Sequence, residues 1–114
     1  MSSQAQPVSG DFFVALFDLA NFSKFYRSQS GEKVFKALSE FSHLVKPIVE
    51  KAGGQIVKFS NDSGIAVFPS EQTDQGVLAM IKLKKSVDEW LSGAIPGSYL
   101  AMNAHVGPAN TQGV

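Results

Sequence analysis

Hydrophobic residues recur along this chain at two different spacings, and these spacings predict its secondary structure. Residues Phe12 to Phe17 are all apolar, which is typical of a central strand covered by helices on at least one side. From Val34 to Ala52 apolar residues recur every three or four positions, which is the spacing of one helix face. The pair Gly53 and Gly54 ends this helix. The first half of the chain therefore predicts a strand followed by a long helix.

The second half predicts a hairpin, a second helix and a last strand. Two strands, Gln55 to Phe59 and Gly64 to Phe68, are joined by a turn of Asn, Asp and Ser, residues that accept the backbone of a tight hairpin. The following helix ends at Gly93, and the alternation over Ser98 to Val106 indicates a strand. One stripe of that helix is expected to be buried: Val77, Met80, Leu83, Val87 and Trp90.

The predicted order of elements is βαββαβ. With both helices on one face of an antiparallel four-stranded sheet, this is the ferredoxin-like plan of the α+β class. Four large side chains at helical spacing are expected in the core: Phe35, Phe41, Met80 and Trp90. The lysines around Lys84 are expected to lie on the solvated face of the second helix.

Composition limits the classes of function. Ten basic and ten acidic residues give the 114-residue chain a formal net charge of zero, so we expect no nucleic acid partner. Cysteine is absent, which excludes disulfides and thiolate chemistry and is compatible with a cytoplasmic location. The longest apolar run, Phe12 to Phe17, is far shorter than the roughly 20 residues that cross a bilayer, so we expect no membrane contact from this segment.

The domain boundary is predicted near residue 10. Residues 1–10 are rich in Ser and Gln, a composition that does not order itself, and we expect them to form a flexible tail. Residues 11–114 are enough for one domain with its own core.

Two aspartates stand at the ends of apolar runs and are followed by turn-forming residues. Asp18 follows the first strand, and Asp62 lies in the predicted hairpin turn. If the two strands are neighbours in the sheet, both carboxylates reach one place. Such a pair suits Mg²⁺, which takes one or two protein carboxylates and fills its remaining positions with water and phosphate. Taken alone, Asp18 fits better the commoner role of an aspartate that ends a strand and caps the next turn. The pair of aspartates reverses this preference and predicts a nucleotide site.

Three segments of the chain carry a more specific signal in their order and spacing. They are Phe17-Asp18-Leu19 with Phe22-Ser23, then Lys58-Phe59-Ser60-Asn61-Asp62 leading to Ala66-Val67-Phe68, and last His105-Val106-Gly107-Pro108. Together they resemble the class III nucleotidyl cyclase catalytic domain, the family of adenylate and guanylate cyclases. The resemblance covers roughly Phe12 to Pro108.

The resemblance implies a reaction and a set of ligands. In the family, the ribose 3′-hydroxyl of ATP or GTP attacks the α-phosphate and releases pyrophosphate, with two Mg²⁺ or Mn²⁺ ions in each complete site. By position, Asp18 and Asp62 would bridge both ions, and the backbone carbonyl of Leu19 would complete a metal shell. Lys58 would read the purine of a nucleotide held mainly by a partner domain. The β- and γ-phosphates would be held by backbone N–H groups over Ala20, Asn21, Phe22 and Ser23.

The resemblance also implies a partner, because two such domains meet head to tail in this family and share each site. We therefore expect a homodimer, or a heterodimer with another cyclase domain. One departure lies in the hairpin, where the family usually has Gly and this chain has Asn61. Because Asn also tolerates a positive φ, we expect the turn to survive.

A second departure concerns catalysis. The family's second purine-reading residue, and the Asn and Arg that stabilise charge on the transferring phosphate, follow the fourth strand and have no match within these 114 residues. Losing one such donor can cost on the order of 10²- to 10³-fold in rate. We therefore expect a weak or inactive cyclase in this form, and the alternative is a silent cyclase-like module that regulates or dimerises with a partner in signal transduction. An RNA-binding domain has the same element order, but Ile65 to Val67 lacks the aromatic residues that stack on bases.

Overall fold

A four-stranded antiparallel sheet with its helices on one face forms the body of this protein. The computed structural model describes residues 9–110, and their side chains from residue 11 to residue 108. In chain order the elements are β1 Ser9–Ala20, α1 Ser23–Ser28, α2 Gly31–Lys51, β2 Gln55–Ser60, β3 Ser63–Pro69, a 3₁₀ turn Ser70–Gln72, α3 Thr73–Ala94 and β4 Tyr99–Asn110. The predicted tail lies outside the described residues over positions 1–8, whereas positions 9 and 10 belong to β1.

The strands are arranged in the order β2-β3-β1-β4. The central strand β1 pairs with β3 as far as Asp18↔Ser63 and with β4 as far as Ala20↔Tyr99. This arrangement confirms the predicted ferredoxin-like βαββαβ fold. The strand β1 is longer than its apolar run because β4 pairs with it throughout, so Asp18 lies inside the strand rather than after it. The short helix α1 was not predicted.

The larger core cluster lies between the helices and one face of the sheet, and Phe41 of α2 belongs to it with no exposed surface. Its ring meets the rings of Phe17 and Phe59 edge to face, with centroids 6.2 and 5.5 Å away, and stacks on Trp90 at 6.4 Å. The indole N–H of Trp90 donates to Glu40. Because Phe17 precedes Asp18, this aromatic cluster fixes the strand segment that carries the aspartate. Among residues 9–110 no helix is long and apolar enough to cross a membrane.

Two residues predicted in the core lie at the surface instead. Phe35 is 74% exposed, because it is one position, about 100° of helical rotation, beyond the buried Val34. Val77 is 42% exposed, because it lines an open groove between α3 and β4 instead of packing fully against the sheet. The predictions for Phe41 and Met80, which belong to the core cluster, are confirmed.

Lys84 is exposed to solvent, as predicted, and in addition it holds the start of β4 together with Asp88. The Lys84 ammonium donates to the carbonyl of Leu100 at 2.9 Å and to the Asp88 carboxylate at 2.8 Å. The N–H of Leu100 donates to the other oxygen of Asp88 at 2.8 Å. Burial raises the pKa of Asp88, but the Leu100 hydrogen bond and the neighbouring Lys84 outweigh it and lower this pKa below its ordinary value.

We expect the free energy of unfolding to fall as the pH drops below about 4, in part because of Asp88. A carboxyl with a lowered folded-state pKa stabilises the fold above its unfolded pKa, and this stabilisation is lost as pH falls through the folded value. The variant Asp88→Asn should have a flatter acid limb in urea unfolding over a pH series. Asp74→Asn, at an exposed aspartate of the same helix, is the control. Acid limbs of equal slope for the wild type and Asp88→Asn would contradict the expectation.

Candidate functional site

The end of β1 and the turn between β2 and β3 lie side by side. Asp18 is opposite Ser63 in the β1–β3 ladder, and the N–H of Leu19 donates to the carbonyl oxygen of Asp62 at 2.9 Å. Asn61 has a φ of 52°, so it adopts the left-handed conformation that the turn was expected to require. The two backbone segments that carry the aspartates are therefore adjacent.

Both carboxylates are available to a ligand. Asp18 is exposed and Asp62 is half-buried. Within residues 11–108, no residue donates a hydrogen bond to either side chain or forms an ion pair with it. The described part of the chain also contains no group of three or more His, Asp or Glu side chains that could enclose a metal. A cation held here would take two carboxylates and complete its shell with water and phosphate, and this donor set fits Mg²⁺ or Mn²⁺.

A cleft on the open face of the sheet begins at Asp18. Its volume is about 550 Å³, which lies within the usual range of small-molecule sites. Lys58 of β2 pairs with Ile65, which in turn pairs with Leu16 of β1, so Lys58 lines this cleft opposite Asp18. Three further polar residues were not singled out from sequence: Ser60, Ser63 and Asn103 line the same cleft. They come from three strands, and only the register of the sheet brings them together.

The segment predicted to hold phosphates is a tight turn between β1 and α1. The carbonyl of Ala20 accepts a 2.6 Å hydrogen bond from Ser98, and the side-chain amide of Asn21 donates to the carbonyl of Gly97 at 3.1 Å. Asn21 has a φ of 62°, and Phe22 is buried. The first N–H groups of α1, from Ser23 onward, have no acceptor within the helix. The turn follows Leu19 directly, so these groups lie next to the aspartates.

The chain is similar to solved structures although no family model and no curated protein matches it. The adenylyl cyclase CyaB from P. aeruginosa has a TM-score of 0.81 at 18% identity, over 92% of this chain and 60% of that one. The guanylate cyclase domain of RhGC from Catenaria anguillulae, solved with GTP, has a TM-score of 0.76 at 15% identity, over 90% and 59%. A dimeric guanylyl cyclase domain of the RhoGC fusion protein from Blastocladiella emersonii has a TM-score of 0.80 at 12% identity, over 92% and 62%.

Each of these structures matches 90% or 92% of this chain. Their chains are longer, and this chain spans about three fifths of each. At sequence identities of 12% to 18% the comparison is evidence for a shared fold alone. The resemblance found in the sequence is confirmed at that level: this protein has the fold of the catalytic domains of adenylyl and guanylyl cyclases.

Proposed function

We propose that residues 11–114 form a nucleotidyl cyclase-like domain whose open-face cleft binds ATP or GTP together with Mg²⁺ or Mn²⁺. The hydrogen bond from Leu19 to Asp62 is the observation that carries the proposal, because it holds the backbone of Asp62 beside β1, next to Asp18, which lines the cleft. The shared fold supports the same reading.

Each residue of the site has a proposed task. Asp18 and Asp62 hold the cations with their carboxylates, and Leu19 contributes its backbone carbonyl. The turn from Ala20 to Ser23 offers N–H groups to the β- and γ-phosphates. Lys58, on the far side of the cleft, would read the purine of a nucleotide held mainly by a partner domain. When bound, divalent cations would lower the pKa of the attacking 3′-hydroxyl and neutralise charge on the triphosphate.

The open face also favours a partner. No described element covers the cleft from above, and Leu16 on its floor is 43% exposed. A second cyclase domain, identical or different, could complete the cleft and supply the Asn and Arg that have no match within these residues. In the 114-residue form we therefore propose nucleotide binding with weak or no turnover. A silent module that regulates a complete partner is the second candidate, and the same uncovered cleft supports it.

Calorimetric titration with a non-hydrolysable ATP or GTP analogue tests the proposal. We expect binding in the presence of Mg²⁺ or Mn²⁺ and none after the metal is chelated, because the aspartates alone repel a triphosphate. Absence of binding under both conditions would contradict the proposal. Equal binding with and without metal would place the nucleotide away from the two carboxylates.

A further inference from the structure

The turn between β1 and α1 is tied to the loop that joins α3 to β4. The hydroxyl of Ser98 donates to the carbonyl oxygen of Ala20 at 2.6 Å, and the side-chain amide of Asn21 donates to the carbonyl oxygen of Gly97 at 3.1 Å. The bonded residues are 78 and 76 positions apart in the chain. Two consecutive residues of the turn are therefore held by two consecutive residues of a distant loop.

The loop that holds the turn is itself fixed to the rest of the fold. Ser98 is buried, and its N–H donates to the carbonyl of Ile95, which is also buried. The next residue, Tyr99, pairs with Ala20 in the β1–β4 ladder, and the Lys84 ammonium lies 5.6 Å from the centre of the Tyr99 ring. Displacing the loop would break these contacts, so the loop is a firm support for the turn.

The bond from Ser98 also sets the direction of a backbone N–H. In a planar trans peptide the carbonyl of one residue and the N–H of the next point in opposite directions, and the described residues contain no cis peptide bond. The Ala20 carbonyl points towards β4, where Ser98 lies, so the N–H of Asn21 points to the other side of β1. On that side the N–H of Leu19 binds the carbonyl oxygen of Asp62. The N–H of Asn21 therefore points to the side of β1 on which Asp62 lies.

This N–H is available to a ligand. Pairing of β1 with β3 ends at Asp18↔Ser63, so β3 offers no partner to Asn21. Asn21 is exposed, and among residues 9–110 no backbone acceptor binds its N–H. Its left-handed backbone, with a φ of 62°, is uncommon outside glycine and asparagine, and its side-chain bond to Gly97 holds it there. An unpaired N–H on a backbone held in this way suits an anionic oxygen.

We propose that Ser98 and Asn21 are positioning residues of the nucleotide site. Their hydrogen bonds hold the N–H of Asn21 towards Asp62, where it binds a phosphate oxygen of the triphosphate. The inference rests on the proposed function and adds to it two side chains that act through the backbone. Because the N–H is directed before the ligand arrives, binding orders less of the chain and is stronger for that reason.

Calorimetric titration with Mg²⁺ and inorganic tripolyphosphate tests the inference, because this probe has phosphates but no base. Loss of one hydrogen bond that holds the turn should weaken binding by about 3- to 10-fold. We expect this loss in Ser98→Ala, and also in Asn21→Gly, since glycine accepts the left-handed conformation but has no amide. A non-hydrolysable ATP analogue with Mg²⁺ should show the same loss. Circular dichroism shows whether Ser98→Ala is folded, and Asn21→Gly, at an exposed residue, replaces it if it is not.

Thr73→Val is the matched control for a merely structural hydrogen bond. The partly buried hydroxyl of Thr73 also donates to a backbone carbonyl. It lies beyond Pro69, which pairs with Phe12 of β1, six positions from Asp18. We expect Thr73→Val to lower the free energy of unfolding in urea and to leave the affinity for both probes unchanged. If Ser98 had a structural role alone, Ser98→Ala would behave in the same way.

The outcomes separate the inference from the proposed function. A wild type that binds neither probe contradicts the proposed function, and the inference fails with it. If the wild type binds both probes and Ser98→Ala and Asn21→Gly bind them as tightly, the inference alone is overturned. Binding of the ATP analogue without binding of tripolyphosphate, or a loss in the variants for the ATP analogue only, would overturn it as well, because the bonds would then not act on the phosphates.

The amide resonance of Asn21 in the wild type provides a direct readout. We expect its proton and nitrogen shifts to change as Mg²⁺ and tripolyphosphate are added, because its N–H donates to a phosphate oxygen. The amide of Asp11, at the other end of β1, should keep its shifts. An Asn21 resonance that does not move in protein that binds the probe would overturn the inference.

Discussion

Asp18→Asn and Asp62→Asn will each weaken the binding of a Mg²⁺–triphosphate complex by at least about 10²-fold. Loss of a residue that only supports a metal ligand already costs about 10- to 100-fold in affinity, and these variants remove a ligand itself. The amide keeps the size of the side chain but loses its charge. Calorimetric titration of each variant with a non-hydrolysable ATP analogue in excess Mg²⁺ measures the effect.

Asp11→Asn is the matched control for this experiment. Asp11 is an exposed aspartate of the same strand, at the end opposite Asp18, where it pairs with Pro108. Its replacement should leave the affinity unchanged. If Asp18→Asn and Asp62→Asn bind as tightly as the parent, the two carboxylates serve only to cap their turns.

Phe41→Ala will lower the free energy of unfolding by about 3 to 5 kcal/mol. The ring of Phe41 is fully buried and contacts Phe17 and Phe59 of the sheet and Trp90 of α3. Its removal therefore leaves a cavity at the place where α2 and α3 pack against the sheet. Urea unfolding followed by the fluorescence of Trp90 measures the loss.

Phe35→Ala provides the comparison, since the same change is made six positions earlier on the same helix. Phe35 is 74% exposed, so its truncation should change the free energy of unfolding by no more than about 0.5 kcal/mol. Equal losses in the two variants would mean that Phe35 is covered in solution and that the assigned helix face is wrong.

The sequence contained enough information to predict the order of elements, because the two hydrophobic periods are local properties of the chain. The stripe through Phe41 and the hairpin around Asn61 were both found in this way. Phe35 and Val77 were placed wrongly because residue type alone does not tell which part of a wide apolar stripe meets the sheet. The exposure of Val77 depends on how α3 lies against β4, which is a long-range property.

In the candidate site, too, local sequence patterns were predictable and long-range contacts were not. Asp18, Asp62 and Lys58 stand in segments with recognisable spacing. The structure brings Asp18 and Lys58 to one cleft and places the backbone of Asp62 beside Leu19. Asn103 could not be found from sequence, because it reaches the cleft only through the pairing of Leu16 with β4. The exposure of Lys84 was predicted from the polar helix face, but its hydrogen bond to the Leu100 carbonyl could not be, because the two residues meet only in the folded chain.

The hydrogen bond between Leu19 and Asp62 has a consequence for ion selectivity. It joins the hairpin turn to β1, so the spacing between the two aspartate backbones is fixed when the chain folds and changes little afterwards. Mg²⁺ requires short bonds in nearly octahedral geometry, whereas Ca²⁺ accepts longer bonds and irregular shells. If the proposed site holds a cation, we therefore expect its two carboxylates, which are carried by this joined frame, to prefer Mg²⁺ over the larger Ca²⁺.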